Sequence, residues 1–409
     1  MRVRRCAVVL LEPREDTRFD LDGLLAGGDG LRRERRWIAL APHLGEEVEV
    51  DAGERELLGA LSPTDWIDAR TLAAHPATAL KRLLKTGLLI GSTKPHAAHR
   101  ERDERLRDSY WHPLAATLHA FTRWRDADAV QSMKDSGTET ARELREVLGP
   151  PPIEAAACGD AGHMLPLPRS APTTFDDLLA RRTTCRNFDP TRPLPQALFA
   201  QLLERVFSAQ SEVRVSDDTT FLKKTSPSGG GLHPVEAYLV VQHVEDVTPG
   251  LYHYQARQHA LEPLPPLAGE GRDRGALRDF IMHAVAQQHW FADAHVLVLL
   301  VPRFDRTFWK YRNHAKGYRV VALEAGHLSQ TLYLSATEAG LGAFITGAIN
   351  EVFLEQAFGL DHVREGVLAI CGFGWRGAEM VTMELDPAAV VWEDTPSSTP
   401  SSTARASAG

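Results

Sequence analysis

The sequence predicts an α+β protein in which strands and long helices pack as layers. Two runs, residues 294–301 and 367–373, are almost entirely apolar, which is typical of central strands buried on both faces. Between these runs, residues 317–339 repeat apolar side chains at helical spacing over about 35 Å. Strands interspersed with one long scaffold helix indicate an α+β sandwich.

Composition excludes several classes of protein. The 409 residues are 43% hydrophobic and 24% charged, as in ordinary globular proteins. The apolar runs are far shorter than the roughly 20 residues that span a bilayer, and the apolar stretch after the basic start is too short for a signal peptide. The net charge of −8 argues against a nucleic-acid binder, because phosphates require clustered Lys and Arg.

The cysteines indicate a reducing compartment. Cys6, Cys158, Cys185 and Cys371 are scattered without a C-x-x-C pair, which disfavours a disulfide framework and a cysteine zinc site. We therefore expect a cytoplasmic protein with no membrane segment and no metal.

The beginning of the chain predicts a small winged-helix-like domain. Residues 54–61 and 79–84 have helical patterns, and residues 85–90 fit a helix end, a glycine stop and a strand. Residues 1–100 hold 16 Lys and Arg against 15 Asp and Glu, which leaves no basic face for DNA. Peptide binding or packing is therefore the favoured role of this domain.

A helical segment and a linker follow. Residues 100–147 look helical, and large apolar side chains recur there at spacings of three or four, which predicts a core stripe: Trp111, Leu114, Leu118, Phe121 and Trp124. The Pro-, Ala- and Gly-rich residues 148–172 have no sustained period and predict a linker between an N-terminal domain, 1–147, and a second domain, 173–393. Residues 394–409 lack a core-forming pattern and are expected to be disordered.

The second domain contains further strand signals. Residues 235–244 alternate well enough for a strand. Residues 251–254 and 259–262 predict a hairpin that turns at residues 256–258.

Residues 181–188, with the sequence RRTTCRNF, form the first of four patterns that carry chemistry. Three guanidiniums and two hydroxyls fall within six residues. Such forked donors suit a phosphate and neighbouring hydroxyl groups. A solvated basic turn at the end of a helix is the alternative.

Residues 223–234, with the sequence KKTSPSGGGLHP, form the second pattern. Three consecutive glycines let a backbone approach a flat ligand and point N–H groups at it. The glycine order matches neither a P-loop nor the G-x-G-x-x-G fingerprint. A flexible loop is the alternative.

The third and fourth patterns flank the long helix. In residues 308–314, FWKYRNH, burial together with the charges of Arg312 and Lys316 would favour the neutral amine of Lys310, beside Tyr311, as a general base. A surface lysine with a solvated head is the alternative. Residues 340–348, GLGAFITGA, indicate by themselves only a glycine-capped helix end.

Together these patterns resemble the FMN-dependent nitroreductase superfamily over residues 173–376, half of the chain. Within it, four short motifs resemble the SagB-type azoline dehydrogenases of ribosomal peptide maturation: PSxGxLxP at 227–234, PGLYHY at 249–254, WKY at 309–311 and LEAGHL at 323–328. The resemblance implies an FMN-binding sandwich around a mostly antiparallel sheet.

The resemblance also implies which residues hold FMN. The family's R-R-S-x-R-x-F element grips the phosphate and ribityl chain, and the matching positions are Arg182, Thr183, Thr184 and Arg186, with both threonines as variants. The glycine loop would lie against the flavin through Pro227, Ser228, Gly230 and Leu232. Thr346 and Gly347 would approach N5 from the other side, although nitroreductases commonly have an acidic residue where Thr346 stands.

For the reaction, the resemblance implies that Lys310 and Tyr311 match a Lys-Tyr pair important for oxidation. A base takes a proton from a thiazoline or oxazoline while a hydride leaves to the flavin, which oxygen would reoxidise. The family further implies a homodimer with FMN and the long helix at its interface. A precursor peptide is the expected substrate, with other peptide-modifying enzymes as further partners.

Two other functions stay open. The same FMN pocket would serve a nitro- or ene-reductase that takes hydride from NAD(P)H, but such an enzyme needs neither the Lys310-Tyr311 pair nor the N-terminal domain. A non-enzymatic peptide- or DNA-binding module is disfavoured by the intact phosphate element at residues 181–188.

Overall fold

A computed structural model describes residues 1–155, 165–265 and 274–392. The elements up to residue 150 are β1 (Arg2–Arg5), β2 (Leu10–Phe19), α1 (Leu21–Leu25), β3 (Leu31–Leu40), β4 (Glu47–Glu49), α2 (Ala52–Ala60), β5 (Ile67–Asp68), α3 (Ala77–Thr86), β6 (Leu89–Gly91), α4 (Ala97–Asp108), α5 (Pro113–Phe121), α6 (Ala129–Asp135) and α7 (Ala141–Leu148). The later elements are α8 (Thr174–Arg181), α9 (Gln196–Phe207), β7 (Ser211–Ser216), β8 (Thr219–Lys223), β9 (Val235–Val241), β10 (Gly250–Gln255), β11 (Ala260–Pro263), α10 (Arg274–Ala284), β12 (Val296–Pro302), α11 (Phe304–Lys310), α12 (Lys316–Glu338), β13 (Gly342–Thr346), α13 (Glu351–Phe358) and β14 (Ala369–Gly374).

The elements from β1 to α7 are called the first part of the chain, and those from α8 onward the second part. A six-stranded antiparallel sheet, β11-β10-β9-β12-β14-β13, forms the centre of the second part. β12 pairs with β9 and β14, and residues 296–301 are completely buried. This burial on both faces explains the unbroken apolar run. The α+β class, the three predicted strands and the hairpin are confirmed, with strand ends displaced by up to three residues.

The long helix α12 confirms the prediction for residues 317–339 to within one residue at each end. Its side chains Val321, Leu328 and Leu332 are buried in the core beside the sheet, and each such burial contributes about 1.5–3 kcal/mol. The opposite face is exposed and bears mostly small or apolar residues: Ala322, Leu323, Gly326, His327 and Gln330. No helix within the described ranges is long and apolar enough to cross a membrane.

The first part contains the predicted helix, helix, strand order. α2 and α3 pack on a small sheet, β5-β1-β6, and α3 ends at Gly87 before β6. The winged-helix assignment and the domain boundaries stay predictions. Residues 156–164, including Cys158, and the tail at 394–409 lie outside the described residues.

A long hairpin of β2 and β3 is absent from the sequence prediction. The two strands pair over ten positions, and charged side chains join them, as in the ion pair of Arg36 with Asp16. Arg14 also pairs with Glu47 of β4 at 2.7 Å. Because ion pairs rather than alternating apolar residues line this hairpin, it lacks the period-2 hydrophobic signal.

The predicted core stripe in residues 100–147 is wrong in part. Trp111 is buried, but Leu114, Leu118 and Trp124 are 61%, 53% and 42% exposed. The physical reason is that α5 begins at Pro113, after Trp111, and turns its small residues inward: Ala115, Ala116, Thr117 and Ala120. The indole of Trp111 donates to the Val363 carbonyl at 2.8 Å and so ties this segment to the second part.

Candidate functional site

The glycine loop, defined as residues 226–233, is fastened to α12. The Ser228 hydroxyl donates to Glu324 and accepts the His233 N–H at 2.9 Å. Glu324 also accepts the Val235 N–H at 3.2 Å, and burial raises the pKa of its carboxyl group. The Ser226 and Thr331 hydroxyls lie 2.9 Å apart. One face of α12 therefore sets the position of the whole loop.

Gly230 lies against the Lys-Tyr pair. Its φ of +69° is a left-handed conformation that favours glycine. A Cβ at this position would lie 2.7 Å from Lys310 Nζ and 2.8 Å from Tyr311 Oη. Lys310 Nζ also approaches the Gly230 carbonyl oxygen at 3.5 Å. The structure therefore brings two of the predicted patterns, the loop and the Lys-Tyr pair, into contact.

The surroundings of Lys310 differ from the expectation. Its side chain is exposed, and the Arg312 guanidinium lies 4.1 Å from the ring centroid of Tyr110. The described residues of this chain therefore do not bury Lys310, as the expected general base requires. α11 ends at Lys310, so an exposed position follows from the helix end.

The arginine-rich element, residues 181–188, begins at the last residue of α8. The α8 N-terminus carries a capping box formed by Thr173 and Asp176. Beyond its end, the Thr184 and Tyr333 hydroxyls lie 3.0 Å apart. The Arg182 guanidinium lies 5.4 Å from the centroid of the Tyr333 ring. Tyr333 on α12 thus positions this element, about 14 Å along the helix axis from Glu324.

Two residues near this element escaped the sequence analysis. Arg376 donates to the Thr183 hydroxyl at 2.9 Å and pairs with buried Glu384. Glu384 accepts the Arg186 backbone N–H at 2.6 Å. Although burial opposes ionisation, this hydrogen bond and the Arg376 charge hold the pKa of Glu384 below its usual value. Arg376 follows β14 by two residues, and nothing else in the sequence indicates that it belongs to the site.

The arginine-rich element fits a phosphate. Among the described residues, no carboxylate pairs with the guanidinium of Arg182 or Arg186. These two guanidiniums belong to the same short element as the Thr184 hydroxyl, and both are donor types that a phosphate dianion requires.

The other predicted contacts differ in accessibility. Thr346 is buried, and its hydroxyl bonds with the Gln288 amide and accepts the Ala348 N–H at 3.2 Å. Gly347 is exposed. The Leu232 side chain is 1% exposed. Pro227 is exposed, and its carbonyl oxygen lies 3.2 Å from His327 Nδ1. Backbone atoms, more than the Thr346 and Leu232 side chains, are therefore available to a ligand.

Sequence comparison places the second part among known proteins. A family model described as the nitroreductase family matches residues 179–375. MJ1384 of Methanocaldococcus jannaschii, which is assigned to the nitroreductases, is 31% identical over 188 residues, covering 46% of this chain and 85% of that protein.

Two bacterial processing proteins are also similar. The trifolitoxin-processing protein TfxB of Rhizobium leguminosarum bv. trifolii is 27% identical over 43% of this chain and 47% of its own length. The microcin B17-processing protein McbC of Escherichia coli is 26% identical over 46% of this chain and 65% of its own length. The match therefore spans less than two thirds of either processing protein.

One solved structure was aligned with this chain over part of its length. A chain of the E. coli microcin synthetase McbBCD complex with truncated pro-MccB17 bound aligns with a TM-score of 0.46 and 19% identity. The alignment covers 67% of this chain and 94% of that one.

Proposed function

Because this chain belongs to the nitroreductase family, we propose that it is an FMN-dependent dehydrogenase of a ribosomally made peptide. Oxidation of an azoline ring to an azole is the example that we favour. The observation that carries the proposal is the contact of Lys310 and Tyr311 with the backbone of Gly230. A small-molecule reductase does not need this pair.

The arginine-rich element would hold the FMN phosphate. Arg182 and Arg186 would supply charge, and the Thr184 hydroxyl would contact the phosphate or ribityl chain. Arg376, held beside Thr183, is a further candidate for the same group. Pro227, Ser228, Gly230, Leu232, Thr346 and Gly347 would border the ring system, as the family pattern implies.

Oxidation of an azoline removes one hydride and one proton from the ring. Bound FMN supplies the hydride acceptor. Lys310 Nζ takes the proton as general base, and the Tyr311 hydroxyl, also beside Gly230, orients the substrate or the amine. The glycine loop holds both groups in place, because α12 fixes it through Ser228 and Glu324.

A general base needs a neutral amine, which burial favours. A second subunit would bury Lys310, because the family places its flavin site between subunits. The exposed face of α12, on which Leu323 is 63% exposed, would form the interface of this homodimer. Burial and the Arg306 charge, which lies on the same helix, would then favour the neutral amine.

Two relatives named as processing proteins, for trifolitoxin and for microcin B17, support a role in maturation. By the same analogy, other peptide-modifying enzymes are proposed partners. Cytoplasmic location and reoxidation by oxygen complete the proposal.

The test is anaerobic mixing of the oxidised flavoprotein with candidate reductants. We expect an azoline-containing peptide to bleach the visible absorbance of the oxidised flavin, because the flavin accepts the hydride. NADPH with a nitroarene should turn over more slowly. Faster turnover with NADPH and the nitroarene than with any peptide would favour the reductase instead. A colourless protein that binds peptide would favour the non-enzymatic module.

A further inference from the structure

A cavity of about 300 Å³ lies beside the glycine loop, between β8, β9, β10 and α11. Its walls include an unusual concentration of charged and titratable groups: Lys224, His233, Glu236, Arg257, Arg303 and Arg306. None of these residues belongs to the predicted FMN contacts. Lys224 lies two residues before the glycine loop and His233 is its last residue, so the cavity and the candidate active site share one wall.

Lys224 is the most informative residue of this cavity. It is 3% exposed, yet within the described part of the chain its ammonium forms neither a hydrogen bond nor an ion pair. Glu324 acts on this ammonium only through its charge, because its oxygens accept from Ser228 and Val235. Burial lowers the pKa of Lys224, and the charges of Glu324 and Glu236 oppose this shift. A buried cation that forms no hydrogen bond is costly to a fold, so an anionic ligand would stabilise it.

The charge balance of the walls favours an anion. Arg257 pairs with Glu212 at 2.7 Å, and Arg303 with Glu236 at 3.4 Å. Arg306 donates to a backbone carbonyl, that of Leu232, and like Lys224 forms no ion pair with a described carboxylate. Lys224 and Arg306 are therefore two cations that line the cavity without an ion pair to a described carboxylate.

The cavity lies close to Lys310, the proposed general base. Arg306 and Lys310 are four residues apart on α11, one above the other on the same face, about 6 Å along the helix axis. An extended peptide advances about 3.3 Å per residue. A group bound at Lys224 and Arg306 would thus lie within about two or three residues of the ring from which Lys310 takes a proton.

We propose that this cavity is an anion subsite, in which Lys224 and Arg306 bind a carboxylate of the peptide substrate close to the ring that is oxidised. A carboxylate suits the walls better than a phosphate dianion, because the carboxylate of Glu236 also faces the cavity. The subsite rests on the proposed function for the identity of its ligand, but its binding can be measured separately.

The experiment measures binding of succinate to the flavoprotein by calorimetry at constant ionic strength, with the neutral succinamide and inorganic phosphate in parallel. Lys224→Met is compared with Lys223→Met, which removes the adjacent exposed lysine. We expect succinate binding to weaken about ten- to a hundredfold in Lys224→Met, the loss of one charge-assisted hydrogen bond. Lys223→Met should bind like the wild type, and succinamide should not bind.

Folding provides a second measurement. Succinate should raise the unfolding temperature of the wild type and of Lys223→Met more than that of Lys224→Met, because a ligand stabilises the folded state that binds it. Equal succinate binding in both variants, tighter binding of phosphate than of succinate, or an equal rise in the unfolding temperature of the two variants would overturn the subsite.

The subsite and the proposed function can fail independently. Peptides with Asp or Glu near the ring are compared with their Asn or Gln counterparts. In the wild type we expect a lower KM for the acidic peptides, and in Lys224→Met we expect this difference in KM to disappear. Peptide oxidation with the same KM in all cases would leave the dehydrogenase intact and refute the subsite. Succinate binding that depends on Lys224, without oxidation of any peptide, would keep the subsite and refute the dehydrogenase.

Discussion

Gly230→Ala is expected to slow peptide oxidation through the contact between the loop and the Lys-Tyr pair. The new Cβ would lie 2.7 Å from Lys310 Nζ and 2.8 Å from Tyr311 Oη, whereas unstrained contacts are about 3.5–4.0 Å. Both groups must therefore move by about 1 Å. A misplacement of that size can cost about a hundredfold in rate, even without loss of a functional group.

Gly231→Ala is the matched control. Gly231 has the same φ of +69°, but its Cβ would meet no atom within 4 Å. Each substitution carries the strain of a left-handed residue, about 1–2 kcal/mol, so urea unfolding should show similar losses. Stopped-flow reduction of the flavin by peptide should be about ten- to a hundredfold slower in Gly230→Ala alone. Equal rates in the two variants would refute a functional contact between Gly230 and the pair.

Three further predictions concern the cofactor, pH and assembly. Arg182→Ala should weaken FMN binding by about one to two decades, whereas Arg181→Ala, which changes an exposed neighbour, should leave it unchanged. Fluorescence titration with flavin measures the affinity of both variants. Release of FAD instead of FMN from the purified protein would contradict the assignment. Burial lowers the pKa of His43 from 6.5 to about 4, so the unfolded chain binds more protons between these values and stability, complete above pH 6.5, falls as the pH falls. Urea unfolding should lose about 1.3 kcal/mol more between pH 7.5 and 5.5 in the wild type than in His43→Gln, and equal pH dependence in the two proteins would contradict the buried, neutral imidazole. Light scattering should give a dimer of the 45.1 kDa chain, and a monomer that retains FMN would exclude the shared site.

The sequence predicted the elements whose patterns depend on burial. β12 and β14 lie inside the sheet, so their residues had to be apolar on both faces. α12 was predictable for a similar reason, because its buried apolar side chains recur at helical spacing. The β2 and β3 hairpin could not be found in this way, because cross-strand ion pairs such as Arg36 with Asp16 stabilise it without an apolar alternation.

The candidate site was predictable only where its residues are close in sequence. The loop and the Lys-Tyr pair are about 80 residues apart, and their contact depends on how α11 and the loop pack on α12. Arg376 and Glu384 join the arginine-rich element from the opposite end of the second part. The sequence did not show that Lys224 is buried, because two adjacent lysines look alike in a sequence and the other one, Lys223, is exposed.

The predicted stripe at residues 111–124 failed because a new helix begins within it, which changes the side chains that face the core. Five large side chains at helical spacing suggest one continuous helix. Pro113 instead begins a new helix, so Trp111 packs into the core while Leu114 and Leu118 face outward. A proline at the first turn is a helix start in physical terms, because its missing N–H costs nothing there.

Reduction of the bound flavin by substrate peptide in Lys310→Ala and Lys310→Arg is the most direct test of the proposed dehydrogenase. Both variants should keep FMN and be reduced normally by dithionite. Loss of a general base typically costs about 10²- to 10⁴-fold in rate, and arginine should not restore it, because a guanidinium keeps its proton. We predict that both variants are slowed by this factor. An unchanged rate in Lys310→Ala, or full activity in Lys310→Arg, would contradict a role for Lys310 as the base.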